Sequence, residues 1–151
     1  MTIREIQQQI ATALNGVEAL VQGGCKAFAE DSNTVLFDVQ TALQAGNVCI
    51  VVVTPDAERN GGSPDGIPVG LKVAVQCSEI PDLNRAEEGH LTALDAAEIV
   101  AHELDSVTMC LLSVKQWADA GTRTVTATAE FATTMLLERQ QQASTPQESC
   151  S

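Results

Sequence analysis

The side chains of this chain that could do chemistry include two histidines, five cysteines and the acidic residues of one loop. His90 and His102 are the only histidines that could serve as a base for an activated serine or cysteine. Neither stands in a known signature, and the motif G-x-S-x-G is absent. A catalytic Cys–His pair therefore has no motif to support it. His102 is better explained as a solvated side chain or as one that caps the C-terminal end of its helix.

Two segments contain part of a metal-binding motif, and each lacks a necessary ligand. His102-Glu103 begins the zinc motif H-E-x-x-H, but the second histidine is missing. The segment 56–61 begins like an EF-hand loop, but Ile67 stands where that loop requires a bidentate glutamate. A solvated charged loop is the simpler explanation, with weak surface Ca²⁺ binding as the alternative. The ligands for that alternative are Asp56, Glu58 and Asp65.

The glycine-rich and cysteine-containing segments also lack the spacing that chemistry requires. Gly61-Gly62-Ser63 is followed by neither a G-K-[ST] motif nor a predicted helix, so a phosphate cradle is not expected. The five cysteines are far apart and contain no CxxC pair, which predicts free thiols in a cytosolic protein. Cys49 and Cys77 fall in predicted strands, where they act as small apolar side chains.

The charge and hydropathy of the chain argue against two further classes of partner. The net charge is −12, and the eight basic residues are scattered without a run, which is unlike a nucleic-acid-binding surface. No apolar run reaches the length of a transmembrane helix, and the N-terminal residues do not have the pattern of a signal peptide. The acidity is explained by solubility and self-repulsion or by a basic partner.

Two apolar runs around a long polar loop form the centre of the predicted fold. Val48 to Thr54 is a Val/Ile-rich run too short for a helix, which predicts a buried strand. Val69 to Cys77 alternates with a period of two, which is typical of a strand with one covered face. The loop Pro55 to Ile67 contains prolines and glycines that prevent either strand from continuing. We expect an antiparallel pair with a protruding loop, and loops of this length are usually functional or disordered.

Three helices are predicted from apolar residues at helical spacing. The first runs from Thr2 to Leu14, and its apolar stripe packs on the sheet or contacts a partner. The second covers about Thr34 to Ala45, and the third covers about Thr92 to Asp105. The inward face of the third helix is predicted to consist of Leu94, Ala97, Val100 or Ala101, and Leu104.

The remaining elements complete an α+β fold. Lys26 to Glu30 is a possible strand, and Val107 to Lys115 and Thr122 to Phe131 form a predicted hairpin. The resulting order is helix, possible strand, helix, strand, strand, helix, strand, strand. It predicts a mostly antiparallel sheet of four to five strands with about three helices packed against it. Residues 1–137 are expected to form a single domain, and residues 138–151 are expected to form a polar, flexible tail.

The segment Val51 to Leu104 resembles small tail proteins of tailed bacteriophages and prophages, of the tail terminator or tail-completion type. The resemblance begins with V-V-T-P-D-A-x-R-N and continues through the glycine-rich loop, the alternating strand and L-N-R. It ends with T-A-L-D-A-A-E-I-V-A-H-E-L. Asn84-Arg85 and the helix Ala93 to Leu104 carry it best. The N-terminal helix and the late strand pair agree with this family in order only.

The resemblance implies a structural role in tail assembly. It implies a helix-flanked antiparallel sheet that assembles as a ring, typically a hexamer. The ring caps the finished tail tube and offers a surface to the head-side connector. Its partners are copies of itself and these tail proteins, with no direct contact to nucleic acid or membrane. No catalysis, no cofactor and no metal are implied. The subunit is expected in the host cytoplasm before assembly and in the virion tail afterwards.

Within this interpretation, two groups of polar residues are candidates for contact with another subunit. Arg59 can pair with a neighbour's carboxylate, and Asn60 can bind its backbone. Arg85 suits a buried interface because its planar guanidinium binds a carboxylate at two points. Ordinary surface exposure explains both arginines equally well. The predicted interface residues are Asp56, Arg59, Asn60, Asp65, Asn84 and Arg85.

Other classes of function stay open beside the tail-assembly hypothesis. The chain could be a stand-alone module that binds a small ligand or a protein, or a neighbouring connector or minor tail component. It could also be a small hydrolase or metal-dependent enzyme without a recognisable motif. A ring-sized species in light scattering favours the tail protein, whereas a monomer with a deep pocket or a bound metal favours the others.

Overall fold

The computed structural model describes residues 2–30, 35–62, 64–84 and 88–138, in which six strands form one sheet and four helices pack on it. The helices are α1 (Ile3–Asn15), α2 (Glu18–Gln22), α3 (Val35–Gln44) and α4 (Ala93–Leu104). The strands are β1 (Cys25–Ala29), β2 (Val48–Val52), β3 (Asp56–Arg59), β4 (Gly66–Glu79), β5 (Met109–Asp119) and β6 (Thr124–Glu138). The predicted α+β class is confirmed.

The sheet is mixed and has more strands than the sequence predicts. Its order is β1-β2-β4-β6-β5. The strand β3 pairs with another part of β4, on the same side of β4 as β2. The pairing of β1 with β2 is parallel, whereas all other pairings are antiparallel. The parallel pair arises because α3 connects β1 to β2 and returns the chain to the same end of the sheet. The predicted antiparallel partner of β2 is confirmed as β4.

The two faces of the sheet are covered very differently. On the face that we call the helix face, α1, α2 and α4 cover the main core, which includes Val73, Val75 and Phe131. On the opposite face, which we call the open face, α3 packs with Cys49 and the partly buried Phe28, over β1 and β2. Across β4, β6 and β5 the open face has no covering helix among the described residues.

Local sequence explains where α1 and α4 begin and how closely they pack. The Thr2 hydroxyl accepts a hydrogen bond from the Glu5 N–H, as predicted for the start of α1. Thr92 and Asp95 form a capping box at the start of α4. The buried side of α4 is made of small residues, which allow the helix to lie close to the sheet. These residues are Ala93, Ala96, Ala97, Val100 and Ala101.

The outer edge of β1 is closed by the last residue of α1. The Asn15 side chain donates from Nδ2 to the Ala27 carbonyl at 2.9 Å, and the Ala27 N–H donates to Asn15 Oδ1, also at 2.9 Å. This paired contact imitates one rung of a strand ladder and occupies backbone groups that another strand would need. Gln7, which is fully buried, connects α1 to the end of β2 through the Val52 carbonyl at 2.8 Å.

Several sequence predictions need correction. The predicted loop Pro55 to Ile67 contains strand β3, which pairs with residues 69–72 of β4. The helix α2 was not predicted, because the segment Val17 to Glu30 has no clear periodicity. Leu94, predicted to face inward, is exposed, because α4 turns its alanines toward the sheet instead. The strand β6 extends to Glu138, and the rest of the predicted flexible tail lies outside the described residues.

We expect Asn15→Ala to destabilise the protein, because it leaves the Ala27 backbone groups without their partner. The expected loss is about 1–3 kcal/mol of the free energy of unfolding. Urea unfolding followed by circular dichroism measures it. Gln9→Ala, on the exposed side of the same helix, is the matched control and should change stability by less than about 0.5 kcal/mol. Equal effects of the two substitutions would contradict a structural role for Asn15.

Candidate functional site

The predicted contact residues of the long loop lie on and beside β3, at the surface. All four residues of β3 are exposed, and so are Asn60 and Asp65. The Asn60 N–H donates to the Pro68 carbonyl at 2.8 Å, which extends the β3–β4 ladder. Arg59 Nε donates to the Gly61 carbonyl at 3.1 Å, so part of its guanidinium stabilises the turn. The structure thus brings four of the predicted residues together in one hairpin: Asp56, Arg59, Asn60 and Asp65.

The base of this hairpin is fixed by a close approach between β4 and β6. Gly66 opens β4 opposite Glu138. A Cβ atom added at Gly66 would lie within 2.4 Å of the Leu137 carbonyl oxygen, so no larger residue fits without moving the backbone. The hairpin that carries Asp56 and Arg59 is therefore anchored to the longest strand pair of the sheet.

Asn84, also predicted as an interface residue, has an intramolecular role. Its Nδ2 donates to Glu79 Oε1 at 2.6 Å and to the Leu91 carbonyl at 2.9 Å. Glu79 is only 6% exposed, and its other carboxylate oxygen accepts the N–H of Ala93, the first residue of α4. These contacts join the end of β4 to the beginning of α4, where a negative charge is favourable. Arg85, the last predicted interface residue, lies outside the described residues.

Both histidines have positions that explain them without a catalytic role. His90 Nδ1 lies 3.1 Å from the Gly46 carbonyl oxygen, and its ring fills the space in front of Gly24. Gly24 has a φ of 80°, a left-handed conformation that glycine adopts without strain. His102 is exposed in the last turn of α4, as the solvated or capping interpretation predicts.

Three cysteine thiols are buried and held in their protonated form. Burial raises the pKa of Cys25 to about 12, and the nearby charge of Glu79 adds to this shift. Burial likewise raises the pKa of Cys49 to about 12 and that of Cys77 well above its usual range. Thiols of this kind are poor nucleophiles at neutral pH. The prediction of free thiols is confirmed for the four described cysteines, and so is the apolar position of Cys49 and Cys77 in strands. Cys110 is the exposed free thiol of the described residues.

The open face carries a shallow groove between the central strands and β5. It has a volume of about 220 Å³ and is bordered by Gln76, Lys115 and Trp117. Thr128 lies at its floor and is 9% exposed, and its hydroxyl has no hydrogen-bond partner in the described part of the chain. No group of histidine, cysteine or acidic side chains among the described residues has the arrangement of a metal site.

The strand β5 is the surface that sequence reasoning missed. It is 11 residues long, pairs with β6 and with no other described strand, and eight of its residues are exposed. Leu112 is 51% exposed and Trp117 is 48% exposed. The sequence predicts a strand here, but an apolar run gives the same signal for a central strand as for an edge strand. A register shift between Leu111 and Ser113 accounts for the exposed Leu112.

Replacing Glu79 by glutamine is expected to lower stability by about 1–3 kcal/mol, since both carboxylate oxygens accept hydrogen bonds and the amide NH2 that replaces one of them can only donate. Chemical unfolding of the variant measures this loss. Glu98→Gln, on the exposed side of α4, is the control and should leave the unfolding midpoint unchanged. A stability of Glu79→Gln equal to that of the parent chain would show that the contact with α4 contributes nothing.

The raised pKa values predict which thiols react with Ellman's reagent. In a Cys150→Ser chain at pH 8, we expect Cys110 to react rapidly and the three buried thiols to react only after unfolding in guanidinium. Because the folded state keeps its thiols protonated above the pH at which an unfolded chain ionises them, stability should also fall above about pH 9. A second rapidly reacting thiol in the native chain would contradict this assignment.

Comparison with known proteins adds no relationship to these observations. The sequence matches no protein-family model, and no curated protein is significantly similar to it. Within the described residues, no helix is both long enough and apolar enough to cross a membrane.

Proposed function

We propose that this protein is a structural subunit of a phage or prophage tail. It assembles with copies of itself into a ring that caps the tail tube and joins the tube to the head-side connector. The observation that carries the proposal is β5, an exposed edge strand with apolar side chains such as Leu112 and Trp117. A long unpaired strand of this kind is a template for pairing with another chain.

The unequal edges of the sheet limit how copies of the chain can assemble. The β1 edge is closed by Asn15, whereas no described strand covers the outer side of β5, where Asp105 Oδ1 accepts the N–H of Leu111 at 2.9 Å. A subunit with one closed and one open edge cannot extend its sheet through those two edges. Its open edge can therefore meet the same edge of a second copy, which gives a two-fold dimer, or a different surface on the next copy. Contacts between two different surfaces form rings when the rotation between copies closes.

The resemblance to tail terminator proteins supports the position of this ring at the end of the tail tube. The resembling segment, Val51 to Leu104, contains β3, β4 and α4. It therefore includes both the exposed hairpin and the helix that holds the central strand pair. The hairpin is a candidate contact element because Asp56, Arg59 and Asp65 are exposed on it. Before assembly the subunit would reside in the host cytoplasm, and afterwards in the virion tail.

A small-ligand binding module is the second candidate, and the groove beside Trp117 is the observation in its favour. Ligand pockets usually have volumes of about 300–1,000 Å³ and enclose most of the ligand. The groove has about 220 Å³ and lies on an uncovered sheet face. The buried hydroxyl of Thr128, which has no hydrogen-bond partner among the described residues, is a polar group that a ligand could satisfy. This groove is smaller than an ordinary ligand pocket, so we favour self-assembly through the exposed β5 edge.

The purified 151-residue chain should form one ring species whose mass is several times that of the 15.9 kDa subunit. Multi-angle light scattering measures the mass, and negative-stain electron microscopy shows the ring and its binding to one end of tail tubes. The tubes are to be assembled from a purified tail-tube protein of a tailed phage. A monomer at all accessible concentrations would contradict the proposal.

The hairpin provides a test of the contact surface. Arg59→Ala should reduce the assembled fraction by several-fold without changing the circular dichroism spectrum, because its side chain is exposed. Lys26→Ala, which removes an equal charge from an exposed position on β1, is the control and should assemble normally. Equal assembly of both variants would remove Arg59 from the interface.

A further inference from the structure

We infer that the ring contact is a continuation of the sheet, in which β5 of one subunit pairs with β3 of the next. This inference rests on the proposed function, because it specifies which surfaces of the ring subunits meet. The occupant of the β5 edge is thus a second copy of this chain, and the part of it that docks is the strand Asp56–Arg59.

Two strands have an unpaired side in the described part of the chain, and they lie on opposite sides of the central pair. β5 pairs only with β6, and β3 pairs only with β4. The third edge, β1, is closed at Ala27 by the Asn15 side chain. β5 and β3 are therefore the two edges that can receive another strand.

The directions of these strands suit an antiparallel junction. β3 runs antiparallel to β4, β4 to β6, and β6 to β5. Within one subunit, β3 and β5 consequently run in opposite directions. When a second copy is placed beside β5 in the same orientation, its β3 meets β5 antiparallel. This is the more stable type of strand pair.

Charge complementarity selects β3 as the partner of β5. Asp56 lies opposite Lys72 and Glu58 lies opposite Gly70, which places both carboxylates on the open face. Lys115 lies opposite Thr128 on that same face. Residues on one face of neighbouring strands interact across the junction, and opposite charges stabilise it. No described residue forms an ion pair or hydrogen bond with the side chain of Lys115, Asp56 or Glu58.

The stagger of the two edges is compatible with a closed ring. The pairing registers assign each of these residues a position along β4. Lys115, which pairs with β6, aligns with Gln76 of β4, whereas Asp56 aligns with Lys72 and Glu58 aligns with Gly70. Lys115 and the two carboxylates are therefore displaced by four to six residues along the strand direction, which is about 13–20 Å. Each subunit adds the four strands β3, β4, β6 and β5 to the continuous sheet, which span about 19 Å across the strands. The ratio of these two lengths corresponds to a strand tilt of about 35–45° from the ring axis, which is the range found in closed barrels.

The chain contains its own reporter for this junction. Trp117 is the single tryptophan of the sequence, and it lies on the same face of β5 as Lys115, two residues away. It is 48% exposed in the isolated subunit. Pairing of a neighbouring strand with β5 should remove part of its surface from water. Its fluorescence emission should then move to shorter wavelength as the concentration rises.

The test is a charge exchange in the 151-residue chain. Light scattering and Trp117 emission are recorded against concentration for Lys115→Glu, for Glu58→Lys and for the chain with both substitutions. Each single variant should weaken assembly about ten-fold or more, since an attractive cross-strand pair becomes repulsive. The double variant should recover to within about three-fold of the parent chain. Lys26→Glu, with the same net charge as Lys115→Glu but on the closed β1 edge, should assemble normally.

Each result separates this inference from the proposed ring. If the parent chain assembles and the single variants assemble equally well, the strand junction is wrong and the ring stands. If the single variants are weakened and the double variant is not restored, β5 meets another surface, such as a second β5. If the parent chain stays monomeric, the ring itself is contradicted, and the junction with it. The pairing of β5 with β3 is supported only if both single variants assemble more weakly and the double variant recovers.

Discussion

The long antiparallel pairing of β4 with β6 is the interaction on which the other elements depend. All 14 residues of β4 pair with β6, from Gly66 opposite Glu138 to Glu79 opposite Val125. On its other side, β4 pairs with both β2 and β3, and the outer side of β6 pairs with β5. The pair also presents Val73, Val75 and Phe131 to α4 on the helix face. Core, hairpin and edge strand therefore share one scaffold.

Much of this scaffold could be predicted from the sequence, because periodicity is local. The alternation of β4 and the capping residues Thr2 and Thr92 indicate their elements correctly. The strand β3 could not be predicted in this way, since D-A-E-R has no apolar alternation and forms a strand only because β4 extends beside it. The parallel pairing of β1 with β2 is likewise a tertiary property.

The candidate site was predicted less completely, for a physical reason. Sequence shows residue type but not the direction in which a polar side chain points. Asn84 and Asp56 look alike as loop residues, yet the amide of Asn84 turns inward to Glu79 whereas Asp56 faces solvent. The exposed strand β5 has the composition of a buried one, and only its place in the strand order shows that no other described strand pairs with its outer side. The alternation of Ser113, Lys115 and Trp117 on the open face is the signal that could have indicated it.

The two edges of the sheet differ in how far they are open to another strand. At β1, Asn15 occupies the backbone groups that a foreign strand would use. At β5, no described strand covers the outer backbone groups, and the register shift near Leu112 and the charge of Lys115 restrict which strand can pair there. In the proposed ring, the partner strand presents negative charge on the open face through Asp56 and Glu58 of β3. A net charge of −12 further disfavours unspecific contact between copies.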